Sequence, residues 1–378
     1  MTNKKNIFII AGESSGDQHA ANYINMHKSM NSNVSFSAIG QQEVQKTGAE
    51  MIYNSEEISV VGIIEVISKY KKIKEALNIA YDYIKRQKPD LIILVDYVEF
   101  NLKIAKYAKR NGVKVLFYIA PQVWAWREKR IYSIIDKVDQ LAVVFPFEEK
   151  LFKKYTNNVT YVGHPLADDP RLKIDFSSYE SKTTDIGIFP GSRDSEIKNN
   201  LHPMLNCIKL SKNENIKNKR IKIFYSNLTS KETILSLLPT DWSNLLADGR
   251  NIDEIANCKK ALTASGTITL ELALLNIPMV IMYRLSFLTF FIMKSLIKIK
   301  YIGLVNLILG KSLGQRPIVK EFIQPDYNDE VQIMVELQKI EQDEDYRKHI
   351  EKGYEEIRSS LKSGAAKNLS ILAQKMIQ

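Results

Sequence analysis

The chain has 378 residues, of which 45% are hydrophobic and 25% are charged, ordinary proportions for a folded globular protein. These figures exclude a disordered chain, a collagen and a small disulfide-stabilised protein, and the length is typical of about two domains. Lysine and arginine total 53 against 43 acidic residues, which gives a net charge of +10. Cys207 and Cys258 have no metal-ligand neighbour at close spacing, so the sequence predicts no zinc site and favours a reducing compartment.

The first half of the chain alternates apolar strands with helical segments. The predicted strands are 6–11, 34–39, 91–95, 114–120, 140–144 and 160–162, and the predicted helices are 16–30, 69–88 and 103–110. Because the strands are continuous apolar runs with helices between them, they predict a parallel sheet that is covered on both faces.

A polar segment at 168–184 interrupts this alternation and is interpreted as a linker. The pattern then restarts, with predicted strands at 185–189, 221–225, 261–264 and 279–282 and predicted helices at 195–212 and 267–275. The sequence therefore predicts an α/β fold with two Rossmann-like domains facing a cleft. Ligands of open parallel sheets bind beyond the carboxyl ends of the strands, so the loops there hold the candidate sites.

Neither an export signal nor a membrane span is expected from the sequence. The apolar run at 7–11 is too short for a signal-peptide core. The most apolar region, 270–309, is interrupted by Pro278 and by basic residues before it reaches the ~18 apolar residues of a span. We expect a cytoplasmic protein that can touch a membrane from the inside.

Three junctions between a strand and a helix contain glycine and are candidate binding sites. Glycines let the backbone approach a ligand closely and expose amide donors at the start of a helix. The first junction offers Gly12, Ser14, Gly16 and Asp17 for binding and Glu13 as a possible catalytic acid or base. A tight turn is the alternative, although two carboxylates are unusual in one.

The second junction contains Ser192, Arg193 and Glu196. The planar guanidinium of Arg193 can neutralise a phosphate, and a plain turn with a solvated arginine is the alternative.

The third junction contains Ser265, Gly266 and Thr267 at the start of a predicted helix, where the positive end of the helix dipole suits a diphosphate. Glu271 lies about one turn further along, where a carboxylate can accept both hydroxyls of a ribose. A helix cap with an ordinary exposed glutamate is the alternative. Both phosphate-loop candidates lie in the second half, so that half is interpreted as the nucleotide side. There is no Walker lysine motif, which argues against a P-loop enzyme.

The first half offers carboxylates for acid–base chemistry and aromatic residues for a pocket. Asp96 and Glu99 follow the strand 91–95, where a carboxylate can take a proton from an attacking hydroxyl, although a cap is the commoner role for Asp96. Trp124 and Arg127 can line a sugar or lipid pocket or belong to the core. His164 is kept as a possible pocket residue, although a lone histidine is usually structural.

Two segments combine an apolar face with lysines and suggest a membrane surface. One is the segment 287–301. The other, earlier in the chain, contains Val60, Val61, Ile63, Ile64, Lys69, Lys71 and Lys72. Such faces can lie in the interface of an anionic leaflet. A core helix with solvated lysines is the alternative for either segment.

Six short motifs occur in one order along the chain. They are AGESSGD at 11–17, VVGIIEV at 60–66, PQVWAWR at 121–127, FPFE at 145–148, PGSR at 190–193 and ASGT at 264–267. Together they resemble the lipid-A-disaccharide synthase family, and the likeness continues through Tyr283, Asn306 and Gln324. It spans about 7–325, and the ordered set is specific although each motif alone is weak.

This resemblance implies an inverting glycosyltransferase with the GT-B fold. Such an enzyme transfers 2,3-diacylglucosamine from UDP-2,3-diacylglucosamine to 2,3-diacylglucosamine 1-phosphate (lipid X), giving UDP and a β-1,6-linked disaccharide 1-phosphate. The implied domains are 1–170 for the acceptor, a linker at 171–184, 185–350 for the UDP-sugar, and helices at 351–378 that return to the first domain. The implied location is the cytoplasmic face of the inner membrane, with no cofactor and no nucleic-acid partner, and a homodimer is allowed.

The resemblance also implies roles for individual residues. Tyr283, Asn306 and Gln324 join the nucleotide-sugar site. The family's candidate base is the aspartate of an Asp-Phe-Asn triplet, and this chain has Glu99 in that place, so Asp96 and Glu13 stay as alternative bases. The chain also departs from the family's pattern at 311–316, which looks like an insertion. No DxD metal motif stands out, so cationic side chains and helix dipoles are expected to stabilise the departing UDP.

Two other functions compete with this one. A soluble GT-B relative such as a UDP-N-acetylglucosamine epimerase would share the fold without needing the apolar, lysine-rich segments. A basic RNA-binding protein would explain the net charge, but the lysines are scattered and no recognition motif is present.

Overall fold

The computed structural model describes residues 4–31, 33–58, 69–120, 130–173, 178–209, 220–284, 301–309 and 317–378. The chain divides into two compact units. The first unit combines Met1–Asp168 with Leu361–Gln378, and the second unit is Asp169–Ser360.

The first unit is built on a seven-stranded sheet in the order β3-β2-β1-β4-β5-β6-β7, and all the pairs are parallel. The strands are β1 (Lys5–Ala11), β2 (Val34–Gly40), β3 (Glu50–Asn54), β4 (Leu91–Val95), β5 (Lys114–Tyr118), β6 (Gln140–Val143) and β7 (Val159–Tyr161). The helices between them are α1 (Ser14–Met30), α2 (Gln42–Lys46), α3 (Tyr70–Gln87), α4 (Val98–Arg110), α5 (Arg130–Ile135) and α6 (Pro146–Phe152).

The second unit has a six-stranded parallel sheet in the order β10-β9-β8-β11-β12-β13. Its strands are β8 (Ile186–Phe189), β9 (Ile221–Tyr225), β10 (Leu246–Asp248), β11 (Ala261–Thr263), β12 (Met279–Tyr283) and β13 (Glu321–Ile323). Its helices are α7 (Asp194–Lys209), α8 (Leu228–Leu237), α9 (Ile252–Ala256), α10 (Thr267–Leu274), α11 (Leu304–Ile308), α12 (Tyr327–Gln342) and α13 (Glu344–Ser360). A last helix, α14 (Ala365–Ile377), belongs to the first unit.

The strands predicted from continuous apolar runs are confirmed, and so is the parallel α/β class. Every residue of β4 is buried, as expected for a central strand covered on both faces. The sequence missed β3, β10 and β13, and all three lie at sheet edges. An edge strand is only partly covered, so it lacks the uninterrupted apolar run that marks the central strands.

The helix after β4 begins earlier than predicted. Asp96 and Tyr97 both have positive φ, at 47° and 45°, and this sharp left-handed turn lets α4 start at Val98. The side chain of Asn101 stabilises the turn by donating to the carbonyls of Val95 and Asp96, at 3.2 and 2.7 Å. Glu99 therefore lies in the first turn of a helix and not in a loop.

Most of the segment interpreted as a linker packs within the second unit. Lys182 and Thr184 are buried, and Thr184 forms an isolated parallel β-bridge with Cys258. Tyr179 is covered by the guanidinium of Arg347, 4.4 Å from its ring centroid. At the other end, α13 belongs to the second unit, so the segment that joins the first unit starts at Leu361 and not at residue 351.

The end of the chain is attached to the first unit by specific hydrogen bonds. Asp168 accepts from the amides of Gly364 and Ala365, at 2.6 and 2.8 Å, and so caps α14. The amide of His164 donates to the carbonyl of Lys362 at 3.0 Å. Helix α14 packs against α1. Within the described ranges, no helix has both the length and the apolar character needed to cross a bilayer.

Candidate active site

A cavity of about 280 Å³ lies at the carboxyl edge of the second sheet. It is formed by the ends of β8, β9 and β11 and by the starts of α7 and α10. Its described wall consists of Phe189, Gly191, Ser192, Glu196, Phe224, Tyr225, Ser226, Gly249, Ala264, Ser265, Gly266, Thr267, Ile268 and Glu271. Parallel α/β sheets bind ligands at this edge, so the cavity is the candidate nucleotide site of the second unit.

The start of α10 offers an anion site to this cavity. Gly266 is the N-cap in an extended conformation, and Gly266 and Thr267 are both exposed. A Cβ atom built on Gly266 would meet nothing within 4 Å, so open space lies beside the first turn. The first amides of a helix lack partners within the helix and carry a partial positive charge. This arrangement suits a phosphate.

Glu196 organises the loop at the start of α7. The amide of Ser192 donates to Oε2 of Glu196 at 3.2 Å, while Arg193 Nη1 and the hydroxyl of Tyr283 each lie 3.4 Å from Oε1. Gly191 has a φ of 126°, and a Cβ there would lie 2.6 Å from Cβ of Glu196, so only glycine fits. Burial and the charge of Glu196 raise the pKa of Tyr283 to about 12. The described wall includes Ser192 and Glu196, whereas Arg193 and Tyr283 stand beside it.

Glu271 lines the cavity one turn into α10, as the sequence predicted. Burial raises the pKa of this carboxyl group, the positive charge of Arg171 opposes that rise, and the negative charge of Asp169 adds to it. Arg171 is not among the residues predicted from the sequence, because it lies in the segment interpreted as a linker. The only local signal was a basic residue that follows the acidic pair Asp168 and Asp169.

One end of the cavity is aromatic, which the sequence did not indicate. Phe189 and Phe224 are stacked with their centroids 4.6 Å apart and their planes at 3°. Tyr225 lies next to them at the end of β9, and Lys231 Nζ is 5.3 Å from its ring centroid. A flat apolar wall of this kind can pack against a nucleobase.

Asn306 does not have the role that the family resemblance implied. Its side chain is fully buried, and its Nδ2 donates to the carbonyl of Val319 at 2.9 Å and to Oε1 of Glu321 at 2.6 Å. Its Oδ1 accepts from the amide of Ile318 at 2.8 Å. The amide group is thus used within the second unit, and Asn306 is a structural residue.

Gln324 directly follows β13 and has a φ of 57°. Its amide donates to the carbonyl of Tyr283 at 2.9 Å, which places it at the carboxyl edge of the sheet but outside the described wall of the cavity.

In the first unit, Glu13 and Asp96 follow the ends of two neighbouring strands. Ala11 of β1 pairs with Val95 of β4, so the two carboxylates emerge at the same edge of the sheet. A Cβ on Gly12 would lie 2.2 Å from the ring of Tyr97, which explains the glycine there. Burial and the negative charge of Glu13 raise the pKa of Tyr97 to about 12. This edge is the candidate acceptor and base site.

Asp17, predicted to bind substrate, is a structural residue. Its side chain is buried and accepts from the amides of Gln41, Glu43 and Val44, at 2.6, 2.9 and 3.3 Å. These bonds satisfy the amides at the start of α2. Burial raises the pKa of this carboxyl group, and the three backbone amides oppose the rise.

The other two residues predicted to bind at this junction are Gly16, which is buried beside Val95, and Ser14, which is exposed.

Glu99 lies in the first turn of α4 with 72% of its side chain exposed. Its Oε1 accepts a hydrogen bond from Nη2 of Arg130, at the start of α5. The ion pair orients the carboxylate at the same sheet edge as Asp96, and Arg130 is a partner that sequence analysis did not single out.

His164 is buried, and its Nδ1 accepts from the amide of Leu166 at 3.2 Å. Burial and the nearby His19 lower the pKa of His164 to about 3, and burial lowers the pKa of His19 to about 4. Both side chains are therefore neutral at physiological pH, and the structure gives His164 a role in the core of the first unit.

Several predicted residues lie outside the described residues. These are Val60, Val61, Ile63, Ile64, Trp124 and Arg127, together with the segment 311–316 and all but Tyr301 of 287–301. The lysines that follow the first of these segments are described at the start of α3: Lys69 is the N-cap, Lys71 is exposed, and Lys72 pairs with Glu57 at 3.2 Å.

Two compact units, each built on a parallel sheet with helices between its strands, define the GT-B fold class. The chain shares its fold with a UDP-N-acetylglucosamine 2-epimerase from Neisseria meningitidis bound to UDP-N-acetylglucosamine, with a TM-score of 0.62, 10% identity and 99% of both chains covered. The glycotransferase of kitacinnamycin matches with the same TM-score, identity and coverage.

Sequence comparison is more specific than the fold. The family model described as lipid-A-disaccharide synthetase matches residues 7–376. A lipid-A-disaccharide synthase of Nitrosococcus oceani is 34% identical over 98% of this chain and 96% of its own length. The synthase of Geobacter metallireducens is 36% identical over 95% of this chain and 94% of its own length.

The chain belongs to the lipid-A-disaccharide synthase family. It is a hexosyltransferase of lipid A biosynthesis, as the ordered motifs predicted. This membership favours the synthase over an epimerase and over an RNA-binding protein.

Proposed function

We propose that the second unit binds UDP-2,3-diacylglucosamine in the cavity at the end of its sheet, and that the first unit binds 2,3-diacylglucosamine 1-phosphate. The observation that carries this proposal is that one cavity wall combines the open start of α10, Glu271 and the stacked pair Phe189 and Phe224. A nucleoside diphosphate needs all three: donors for its phosphates, an acceptor for its ribose hydroxyls and a flat surface for its base.

The helix start would stabilise the charge that develops on UDP as it leaves. Ser265, Gly266 and Thr267 offer amide and hydroxyl donors, and the helix dipole adds a fixed positive potential. Arg193 pairs with Glu196 beside this wall, and its guanidinium can turn from that carboxylate to a phosphate. The donors at the start of α10 belong to the helix itself and need little reorganisation, whereas Arg193 has to leave Glu196.

Inversion requires a base for the 6-hydroxyl of the acceptor. The base removes the proton as the oxygen attacks the anomeric carbon, and UDP departs from the opposite face of the sugar. Glu99 is the proposed base, because its carboxylate is accessible and oriented by Arg130. Asp96 and Glu13, at the same sheet edge, are the alternative bases.

The acyl chains of both substrates place the protein at a lipid surface. We propose that it acts on the inner face of the inner membrane and that Lys69, Lys71 and Lys72 help to contact the anionic leaflet. Basic residues near such a surface contribute about 1 kcal/mol each.

The membrane contact is tested by flotation with anionic and neutral vesicles. The triple change of Lys69, Lys71 and Lys72 to Gln should weaken binding to anionic vesicles. The control is the same change on α4, at the exposed Lys103, Lys106 and Lys109. Equal binding by both triple variants and the wild type would argue against the proposed surface.

The activity is tested by incubating the protein with both substrates and measuring the disaccharide 1-phosphate and UDP. The matched control is an acceptor without its 6-hydroxyl group, which should give no product. Arg193→Ala should lower kcat by at least about 100-fold, as expected when a charge clamp on the leaving group is lost. Arg220→Ala, which changes an exposed arginine at the opposite end of β9, should have little effect. Full activity of Arg193→Ala would show that Arg193 does not belong to the proposed nucleotide site.

A further inference from the structure

The fold brings Glu99 and Arg130 together at the carboxyl edge of the first sheet. Glu99 lies on α4, which follows β4, and Arg130 begins α5, which comes after the neighbouring parallel strand β5. Nη2 of Arg130 donates a hydrogen bond to Oε1 of Glu99. A cation therefore stands next to the carboxylate that we assign as the base.

The two side chains of this ion pair are exposed to different degrees. Only 23% of the side chain of Arg130 is exposed, against 72% of that of Glu99. An ion pair with so exposed a partner contributes about 0–1 kcal/mol to stability, so the fold does not depend on it. Because most of Arg130 is covered, its side chain has lost part of its freedom before a ligand binds.

The guanidinium of Arg130 has N–H groups that Glu99 does not use. An arginine carries five N–H donors in a planar fork. Within the part of the chain that the structure describes, the only hydrogen bond of this guanidinium is the one from Nη2 to Glu99. The remaining N–H groups suit a phosphate, which can accept two parallel hydrogen bonds from a guanidinium.

The same sheet edge contains three residues with a strained backbone. Asp96 and Tyr97 after β4 and Ile119 after β5 have φ values of 47°, 45° and 60°. The amide of Asp96 donates to the carbonyl of Tyr118, and that of Ile119 donates to the carbonyl of Ala142, both at 3.1 Å. Such residues cost about 1–3 kcal/mol each and are concentrated at functional sites. This observation does not depend on the ion pair and also indicates a ligand site at this edge.

We propose that Arg130 binds the anomeric phosphate of the acceptor while its Nη2 keeps Glu99 in place for the 6-hydroxyl. This inference rests on the proposed function, because it takes 2,3-diacylglucosamine 1-phosphate as the acceptor and this sheet edge as its site. Arg130 is then a binding residue for the substrate and a positioning residue for the base.

The chemistry of the acceptor explains how one arginine serves both groups. The anomeric carbon carries the phosphate and C5 carries the 6-hydroxymethyl group. Both carbons are bonded to the ring oxygen, so the phosphate and the hydroxyl lie at the same edge of the sugar. The proton of the hydroxyl passes to Glu99 as its oxygen bonds to the anomeric carbon of the donor and the bond to UDP breaks. Arg130 stays protonated throughout.

The test compares two acceptors on the full-length protein with saturating donor. One is 2,3-diacylglucosamine 1-phosphate, and the other is the uncharged methyl glycoside of the same sugar, which keeps the 6-hydroxyl. The wild type should have a kcat/KM at least about 10-fold higher for the phosphate, the worth of hydrogen bonds between charged groups. Arg130→Gln should reduce this preference to less than about 3-fold. Arg130→Lys should keep an intermediate preference, because it retains the charge without the fork.

Two further variants serve as controls. Arg110→Gln changes an exposed arginine in the last turn of α4, at the far end of this helix from Glu99, and should keep the wild-type preference. Glu99→Gln should lower kcat with both acceptors and also keep the preference, because the phosphate is bound by Arg130. Each preference compares two acceptors on one protein, so a partial loss of folded protein does not alter it.

The outcomes separate the role of Arg130 from the proposed function. If the wild type forms no disaccharide from either acceptor, the proposed function itself is wrong. If the wild type is active without preferring the phosphate, or if Arg130→Gln keeps the preference, only the role of Arg130 is overturned. An equal loss of activity with both acceptors in Arg130→Gln also overturns it, because that result means that Arg130 acts only through Glu99 or the fold.

Discussion

Nδ2 of Asn306 donates a hydrogen bond to Oε1 of Glu321 at 2.6 Å, and the pair supports the loop behind the proposed phosphate site. Glu321 also accepts from the amides of Ile302 and Gly303, at 2.7 and 3.1 Å. The carbonyl of Ile302 in turn accepts from the hydroxyl of Ser265 at 3.2 Å. Asn306 is therefore linked to the cavity through three hydrogen bonds and does not line it.

Asn306→Ala should lower the free energy of unfolding by about 2–4 kcal/mol, because it leaves a buried amide, a carbonyl and a carboxylate without their partner. Urea unfolding would measure this loss, with Asn328→Ala at an exposed position of α12 as the control. The free energy of UDP binding should change much less than the free energy of unfolding. A variant with wild-type stability that no longer binds UDP would place Asn306 in the nucleotide site after all.

Gly266→Ala tests where the diphosphate binds. The added Cβ meets no atom of the described structure within 4 Å and the backbone is extended, so stability should fall by no more than about 1 kcal/mol. UDP affinity should nevertheless fall by at least about 10-fold, because the methyl group would occupy the space proposed for a phosphate.

Gly191→Ala is the contrasting variant. It combines a φ of 126° with a Cβ only 2.6 Å from Glu196, so it should be clearly destabilised. Thermal unfolding and calorimetry on both variants separate the two effects. Unchanged UDP binding by Gly266→Ala would show that the diphosphate does not bind at the start of α10.

Glu99→Gln should lower kcat by at least about 100-fold, since the amide cannot accept the proton of the acceptor hydroxyl. Glu99→Asp should keep more activity, because it retains the carboxylate. The control is Glu43→Gln, which removes an exposed carboxylate paired with Lys46 on α2. Initial rates with saturating donor and acceptor give kcat for each variant. Near-normal turnover by Glu99→Gln would show that Glu99 is not the base and would favour Asp96 or Glu13.

The first unit should lose stability as the pH falls below about 6.5. Burial holds the pKa of His19 at about 4 and that of His164 at about 3, both below the 6.5 of an unfolded histidine. Between about pH 6.5 and 4 the unfolded chain binds protons that the folded state does not. The free energy of unfolding therefore falls by on the order of 1 kcal/mol per pH unit for each histidine.

A double change of His19 and His164 to Gln isolates this effect. Urea unfolding at pH 5 and pH 7 should show a smaller pH dependence for the double variant than for its parent. The difference between the two proteins cancels other groups such as Asp17. Equal slopes would show that these histidines are not buried in the neutral form.

Much of the fold followed from local patterns. The central strands are continuous apolar runs, and the parallel class follows from the helices between them. The edge strands β3, β10 and β13 were not predicted, because strands covered on one side have a weaker apolar pattern. The start of α4 was not predicted either. Asp96 and Tyr97 both adopt the left-handed conformation, and no glycine in the sequence indicates this turn.

The sequence by itself determined the class of protein, the glycine junctions and the ordered motifs that identify the family, because these depend on neighbouring residues. It also located Glu271, which one helical turn places beside Gly266. Only the tertiary structure decided which polar side chains line the cavity and which are used in hydrogen bonds within a unit. The carboxylate of Asp17 accepts hydrogen bonds from the amides of Gln41 and Val44, and the positive charge of Arg171, from a distant part of the chain, opposes the rise in the pKa of Glu271. Hydrogen bonds and charges act between residues that folding brings together, and a sequence pattern has no record of those distances.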